Sequence, residues 1–146
     1  GTQDISCEDG GVFFASIHAD PKSDYPYFWG HADETGAGEG TGATFNQPLP
    51  QGTTWEAYAP ALDKALERIA AFGAKTLIVS YGADTFEKDP ISEFKLTTKD
   101  MHRMGAAIRT LDLPTLAREV TDHLIAAQSR LVVEDGTSTG SKPLSH

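Results

Sequence analysis

Two short apolar runs flank one long amphipathic stripe, and that order restricts the chain more than any other feature. Val12, Phe13, Phe14, Ala15, Ser16 and Ile17 are rich in β formers and are closed by His18-Ala19-Asp20-Pro21, which reads as a buried strand. Thr76-Leu77-Ile78-Val79-Ser80-Tyr81 is a second such run, followed by Gly82-Ala83-Asp84. Between them Trp55, Tyr58, Leu62, Leu66, Ile69 and Phe72 recur at spacings of three and four, the stripe of a helix over 53–72. Thr53 with Glu56 fits a capping box, and Gly73 fits the stop just past the end. Pro60 inside the stripe predicts a kink or a start near Ala59. Strand, helix, strand predicts a crossover and a parallel sheet: an α/β fold, mostly parallel, with flanking helices.

The remaining chain is read around that unit. Residues 1–11 are polar and carry no helix or strand signal, and 19–42 read as an ordered loop. Residues 44–49 suit a short strand whose Pro48 belongs at a sheet edge. Met101, Met104, Ile108 and Leu111 predict a second helix over about 98–111, broken by Leu113-Pro114. Leu116, Val120, Leu124 and Ala127 predict a third helix, and Leu131-Val132-Val133 a last short strand. One domain over 1–133 and a disordered tail over 134–146 follow from this pattern.

Twenty-one acidic residues against 12 basic ones give a formal charge of −9, which argues against nucleic acid or an anionic membrane as main partner. A lone Cys7 excludes an internal disulfide framework and any multi-cysteine zinc site. No apolar run approaches the roughly 20 residues of a membrane span, and no signal-peptide pattern opens the chain. The expectation is a cytoplasmic protein.

Several residues offer chemistry. Asp84 follows a strand end behind a glycine, where α/β folds place ligands; it suits a metal ligand or a base, and equally a turn carboxylate. His18 and Asp20 end the other strand and suit either a shared metal or a plain strand-end turn. Gly36, Gly38, Gly40 and Gly42 lack the Lys-Ser/Thr of a phosphate cradle, and Glu34 and Glu39 repel phosphate, so a plain loop is the better reading. Tyr25, Tyr27, Phe28 and Trp29 suit a substrate wall or a buried loop anchor. Cys7 has no partners suggesting a nucleophile, and no Gly-x-Ser-x-Gly elbow occurs.

From Gly1 to about Leu116 the sequence resembles the histone deacetylase and acetylpolyamine amidohydrolase superfamily, bacterial branch. The matching segments are GTQDI at 1–5, VFFASIHADP at 12–21, YPYFWG at 25–30, DETGAGEG at 33–40, GAKTLIVSYGADTFEKDP at 73–90 and FKLT at 94–97. The resemblance implies an arginase/deacetylase-like α/β fold and a zinc-dependent amidohydrolase that deacetylates lysine or polyamines. It matches Asp84 to a zinc ligand and Tyr25 to the substrate-channel aromatic, often Phe in relatives. It matches Ser16 and Ile17 to contributors to a structural potassium site.

The departures shape the expectation. The family's other two zinc ligands lie in an Asp-x-His just before the Gly-Thr-Gln segment, where this sequence begins, and its paired histidines lie further upstream. The Gly-Gly-Tyr turn expected after Leu116 is replaced by Ala117-Arg118-Glu119-Val120. A catalytic zinc needs about three protein ligands and an open position. The resemblance therefore implies a truncated relative with a partial fold and no catalytic residues of its own, inactive alone; sheet edges and apolar faces bared by the missing strands predict self-association as a homo-oligomer. The alternatives are a zinc-dependent deacetylase completed by a partner chain, and a binding module for a cationic small molecule such as acetyl-lysine or a polyamine.

Overall fold

A computed structural model describes residues 1–24, 27–119 and 128–134. The elements run α1 (Thr2–Ser6), β1 (Val12–Ala19), β2 (Thr44–Leu49), α2 (Trp55–Phe72), β3 (Thr76–Tyr81), α3 (Thr98–Arg109), β4 (Thr115–Glu119) and β5 (Gln128–Glu134). One five-stranded sheet has the order β2-β1-β5-β3-β4. β1 pairs with β2 and β3 with β4, both in parallel. β5 runs antiparallel to its neighbours β1 and β3. Four of the five strands thus share one direction, with a parallel pair on each side of the antiparallel β5.

The strand-helix-strand reading holds for β1, α2 and β3, and both apolar runs are strands. Phe13, Ala15 and Ile17 of β1 meet Leu77 and Val79 of β3 in one core with Tyr58, Ala61, Leu62, Ala65, Leu66 and Ile69 of α2. Phe94, Leu96 and Met104 complete it. The aromatic rings of Tyr58 and Phe94 meet edge to face at 6.5 Å. β1 is buried along both faces, because α2 covers one and α1 with its following loops packs on the other. Alternation therefore fails to show in its sequence.

Some expectations shift. α2 begins one residue later than Thr53 suggested: Thr54 is the N-cap, and the Thr53 hydroxyl donates to the Pro50 carbonyl at 2.6 Å. Pro60 lies exposed inside a continuous helix, and Gly73 closes it at φ 78°. Residues 1–11 do contain an element, α1, whose Ser6 hydroxyl donates back to the Thr2 carbonyl at 2.9 Å. Five residues are too few to show a helical period.

The third helix predicted from Leu116 is corrected: 115–119 form β4. Asp112, at φ 51°, turns the chain, and Pro114 offers its carbonyl to the Leu77 N–H at 2.9 Å. The chain is thereby delivered into register with β3, Leu77 opposite Thr115. The rest of that predicted helix, 120–127, lies outside the described residues, as does 135–146 of the expected tail. Glu134 ends β5, which contains the predicted last strand.

Candidate active site

Asp84 stands on a short 3-10 turn, Ala83–Thr85, directly after β3. The turn is pinned from below. Thr85 is fully buried, Leu96 accepts the Glu87 N–H at 2.9 Å, and the Leu96 N–H reaches the Thr85 carbonyl at 3.3 Å. One carboxylate oxygen of Asp84, Oδ1, is buried without a hydrogen-bond partner. Burial, with Asp89 nearby adding a like charge, pushes the Asp84 carboxyl up to about 6. A desolvated carboxylate with an orphaned oxygen is an acceptor awaiting a cation or a donor.

His18 is not such an acceptor. It is 2 % exposed, and its ring nitrogens lie 2.8 Å from the Ser16 hydroxyl and 2.8 Å from the Gly30 carbonyl. Asp20 caps its own turn, taking the Lys22 N–H at 3.0 Å. The two strand ends therefore do not converge on one metal. Among the described residues no group of three or more His, Cys, Asp or Glu side chains is placed to hold an ion. Tyr25 lies outside the described residues. Tyr27, Phe28 and Trp29 are exposed, which excludes the buried-anchor reading for them.

The glycine ladder is structural. A Cβ on Gly36 would fall 2.1 Å from the Gly40 carbonyl oxygen, and one on Gly40 would fall 2.4 Å from that of Cys7. The Ala37 N–H donates to the same Cys7 carbonyl at 2.7 Å, so the loop is stitched onto the end of α1. Cys7 itself points its thiol at the Asp4 carbonyl, 3.3 Å away.

Sequence reasoning missed a cluster beside β1. Asn46 of β2 donates through Nδ2 to Gln3 Oε1 at 3.1 Å and to the His31 carbonyl at 3.2 Å. Gln3 Nε2 donates to Glu34 Oε2 at 2.6 Å, and the same oxygen takes the Gly30 N–H at 2.8 Å. No local sequence signal marks this cluster, because only the pairing of β1 with β2 sets Asn46 opposite Ser16.

With the strand-end carboxylate in place, comparison with known proteins is decisive. The family model "Histone deacetylase domain" matches residues 1–121. The chain belongs to the histone deacetylase family. It is 53% identical over 116 residues to an acetylpolyamine amidohydrolase of Mycoplana ramosa, covering 80% of this chain and 34% of that one. An acetylpolyamine amidohydrolase of Pseudomonas aeruginosa shows the same figures. The crystal structure of acetylpolyamine aminohydrolase from Burkholderia pseudomallei superposes with a TM-score of 0.79 at 38% identity, over 82% of this chain and 35% of that one. A deacetylase homologue from Aquifex aeolicus gives 0.75 at 26% identity, over 82% and 33%. The fold is thus the deacetylase fold, and the chain spans about a third of the length of the curated relatives it matches. No helix among the described residues of this deacetylase-family chain is long and apolar enough to cross a membrane.

Asp84 supplies a free oxygen, but a working zinc centre requires about three protein ligands. The described residues do not amount to a zinc site.

Proposed function

We propose that these 146 residues carry one metal-binding arm, Asp84, of a deacetylase-type amidohydrolase centre for acetylated polyamine or acetyl-lysine, and that they do not hydrolyse amides by themselves. The observation behind this reading is the buried, unpartnered Oδ1 of Asp84 at the carboxyl end of β3. A cation on that oxygen offsets the desolvation that otherwise raises the carboxyl to about 6. Among the described residues no group of three or more His, Cys, Asp or Glu side chains is placed to hold an ion, short of the roughly three protein ligands by which a catalytic zinc activates water. The substrate class is supported by the relatives, whose names read acetylpolyamine amidohydrolase.

The test is hydrolysis of acetylspermidine and of a fluorogenic acetyl-lysine peptide with excess zinc, for the chain and for Asp84→Ala. The expected result is no turnover by either, with weak zinc binding by the chain that Asp84→Ala abolishes. Turnover that disappears in Asp84→Ala would overturn the claim of inactivity and favour a centre rebuilt within or between chains. A second reading, a binding module for cations, is favoured by one observation: Tyr27, Phe28 and Trp29 stand exposed on a chain of charge −9. Self-association is favoured by the exposed Leu116 on the edge strand β4.

A further inference from the structure

Among the groups that His18 meets, two differ in kind. Gly30 offers only a carbonyl oxygen, so the 2.8 Å contact requires that Nε2 carry the proton and donate. In the neutral ring Nδ1 is then the acceptor, and the Ser16 hydroxyl donates to it over 2.8 Å. The peptide preceding Gly30 is held as well: the Gly30 N–H donates to Glu34, which in turn accepts from Gln3. One residue later, Asn46 donates to the His31 carbonyl. Side chains from β1 and β2 thus grip two successive residues of one loop, and Gln3 of α1 backs the Glu34 and Asn46 side chains. The residues just before the grip, Tyr27, Phe28 and Trp29, are 55%, 78% and 59% exposed. Side chains as exposed as Phe28 and Trp29 gain little from packing, so their direction follows the backbone that leads into Gly30.

Gly30 is required there on two counts. Its φ is +89°, and a Cβ would lie 2.5 Å from His18 Nε2. The loop approaches the histidine as closely as a backbone can.

We propose that His18 is a positioning residue: its Nε2–H tether to Gly30, set by the Ser16 hydroxyl on Nδ1, fixes the loop that presents Tyr27, Phe28 and Trp29 to ligand. The tether stands on the hydrogen bonds alone; that the ligand is an acetylated polyamine rests on the function proposed above.

Hydrogen exchange of residues 27–33 is the test, compared with α2 and β3 in the same protein. His18→Phe keeps an aromatic volume and loses the donor; His18→Gln keeps an N–H at similar reach. Exchange in 27–33 should quicken about tenfold in His18→Phe, the scale of one buried hydrogen bond in a local opening, with α2 unchanged. His18→Gln should return it close to wild type. Nitrogen chemical shifts of the His18 ring in the unaltered protein should show the Nε2–H form. An Nδ1–H ring, an unchanged loop in His18→Phe, or equal quickening of α2 and the loop would each overturn the tether. The ring shifts decide the matter even if His18→Phe does not fold. Titration with acetylspermidine separates the two claims. Weaker binding in His18→Phe, restored in His18→Gln, supports both. No binding by any form, with exchange as expected, overturns the ligand class and sustains the tether.

Discussion

Residue by residue, the carboxylates of this chain divide by what surrounds them. Asp84 is raised by burial, while Asp100 is held below the ordinary carboxylate range. The Thr97 hydroxyl donates to Asp100 at 2.6 Å and the Thr97 N–H at 2.9 Å, and Arg103 adds a bond at 3.0 Å. A carboxyl lowered in the folded state contributes stability above its unfolded value of about 3.9 and loses it as pH falls through the folded value. Urea unfolding should therefore show stability declining below about pH 4, and Asp100→Asn should lessen that decline while lowering stability at neutral pH. An unchanged pH dependence in Asp100→Asn would contradict it. The site was partly legible at this scale. Asp84 announces itself by following a strand and a glycine. Glu34, Gln3 and Asn46 do not, because 43 sequence positions separate Gln3 from Asn46 and only the fold brings them to 3.1 Å.

Elements were legible where they are long and periodic. β3 occupies the six residues of its apolar run, and α2 follows its stripe to Phe72. β4 misleads because Leu116, Val120 and Leu124 recur every four residues, which is also what a helix shows. Pairing with β3 overrode that local pattern, and a strand on the edge of a sheet needs no alternation to declare itself. Within α2, Pro60 removes the N–H that would reach back to the carbonyl of Glu56, and its ring crowds the preceding turn. Because Pro60 is exposed, Pro60→Ala should raise stability by up to about 3 kcal/mol, measured by thermal or urea unfolding. A drop would mean that a bend at Pro60 is needed to seat Tyr58 and Leu62 in the core.

Across the whole molecule, the sheet among the described residues ends on two edges, β2 and β4. β2 carries Pro48, which withholds one N–H from any incoming strand. β4 has no proline among its five residues, and its Leu116 is 63% exposed. Association through β4 should appear in sedimentation as a concentration-dependent larger species, and Leu116→Lys should shift it toward monomer. A wild-type chain that stays monomeric at high concentration would refute this.

The middle of the sheet has a consequence of its own. β5 is the last of the five strands in sequence yet lies between β1 and β3, so the two halves of the sheet join through it. A ribosome making this chain releases β1 more than a hundred residues before the strand that links it to β3. During that interval β1 can pair with β2, and its other edge waits. Assembly is therefore governed by contacts distant in sequence, which are slow to form. Synthesis has to pass Glu134 before the sheet can close, and a nascent chain halted before Gln128 offers its β1 edge to whatever strand arrives first.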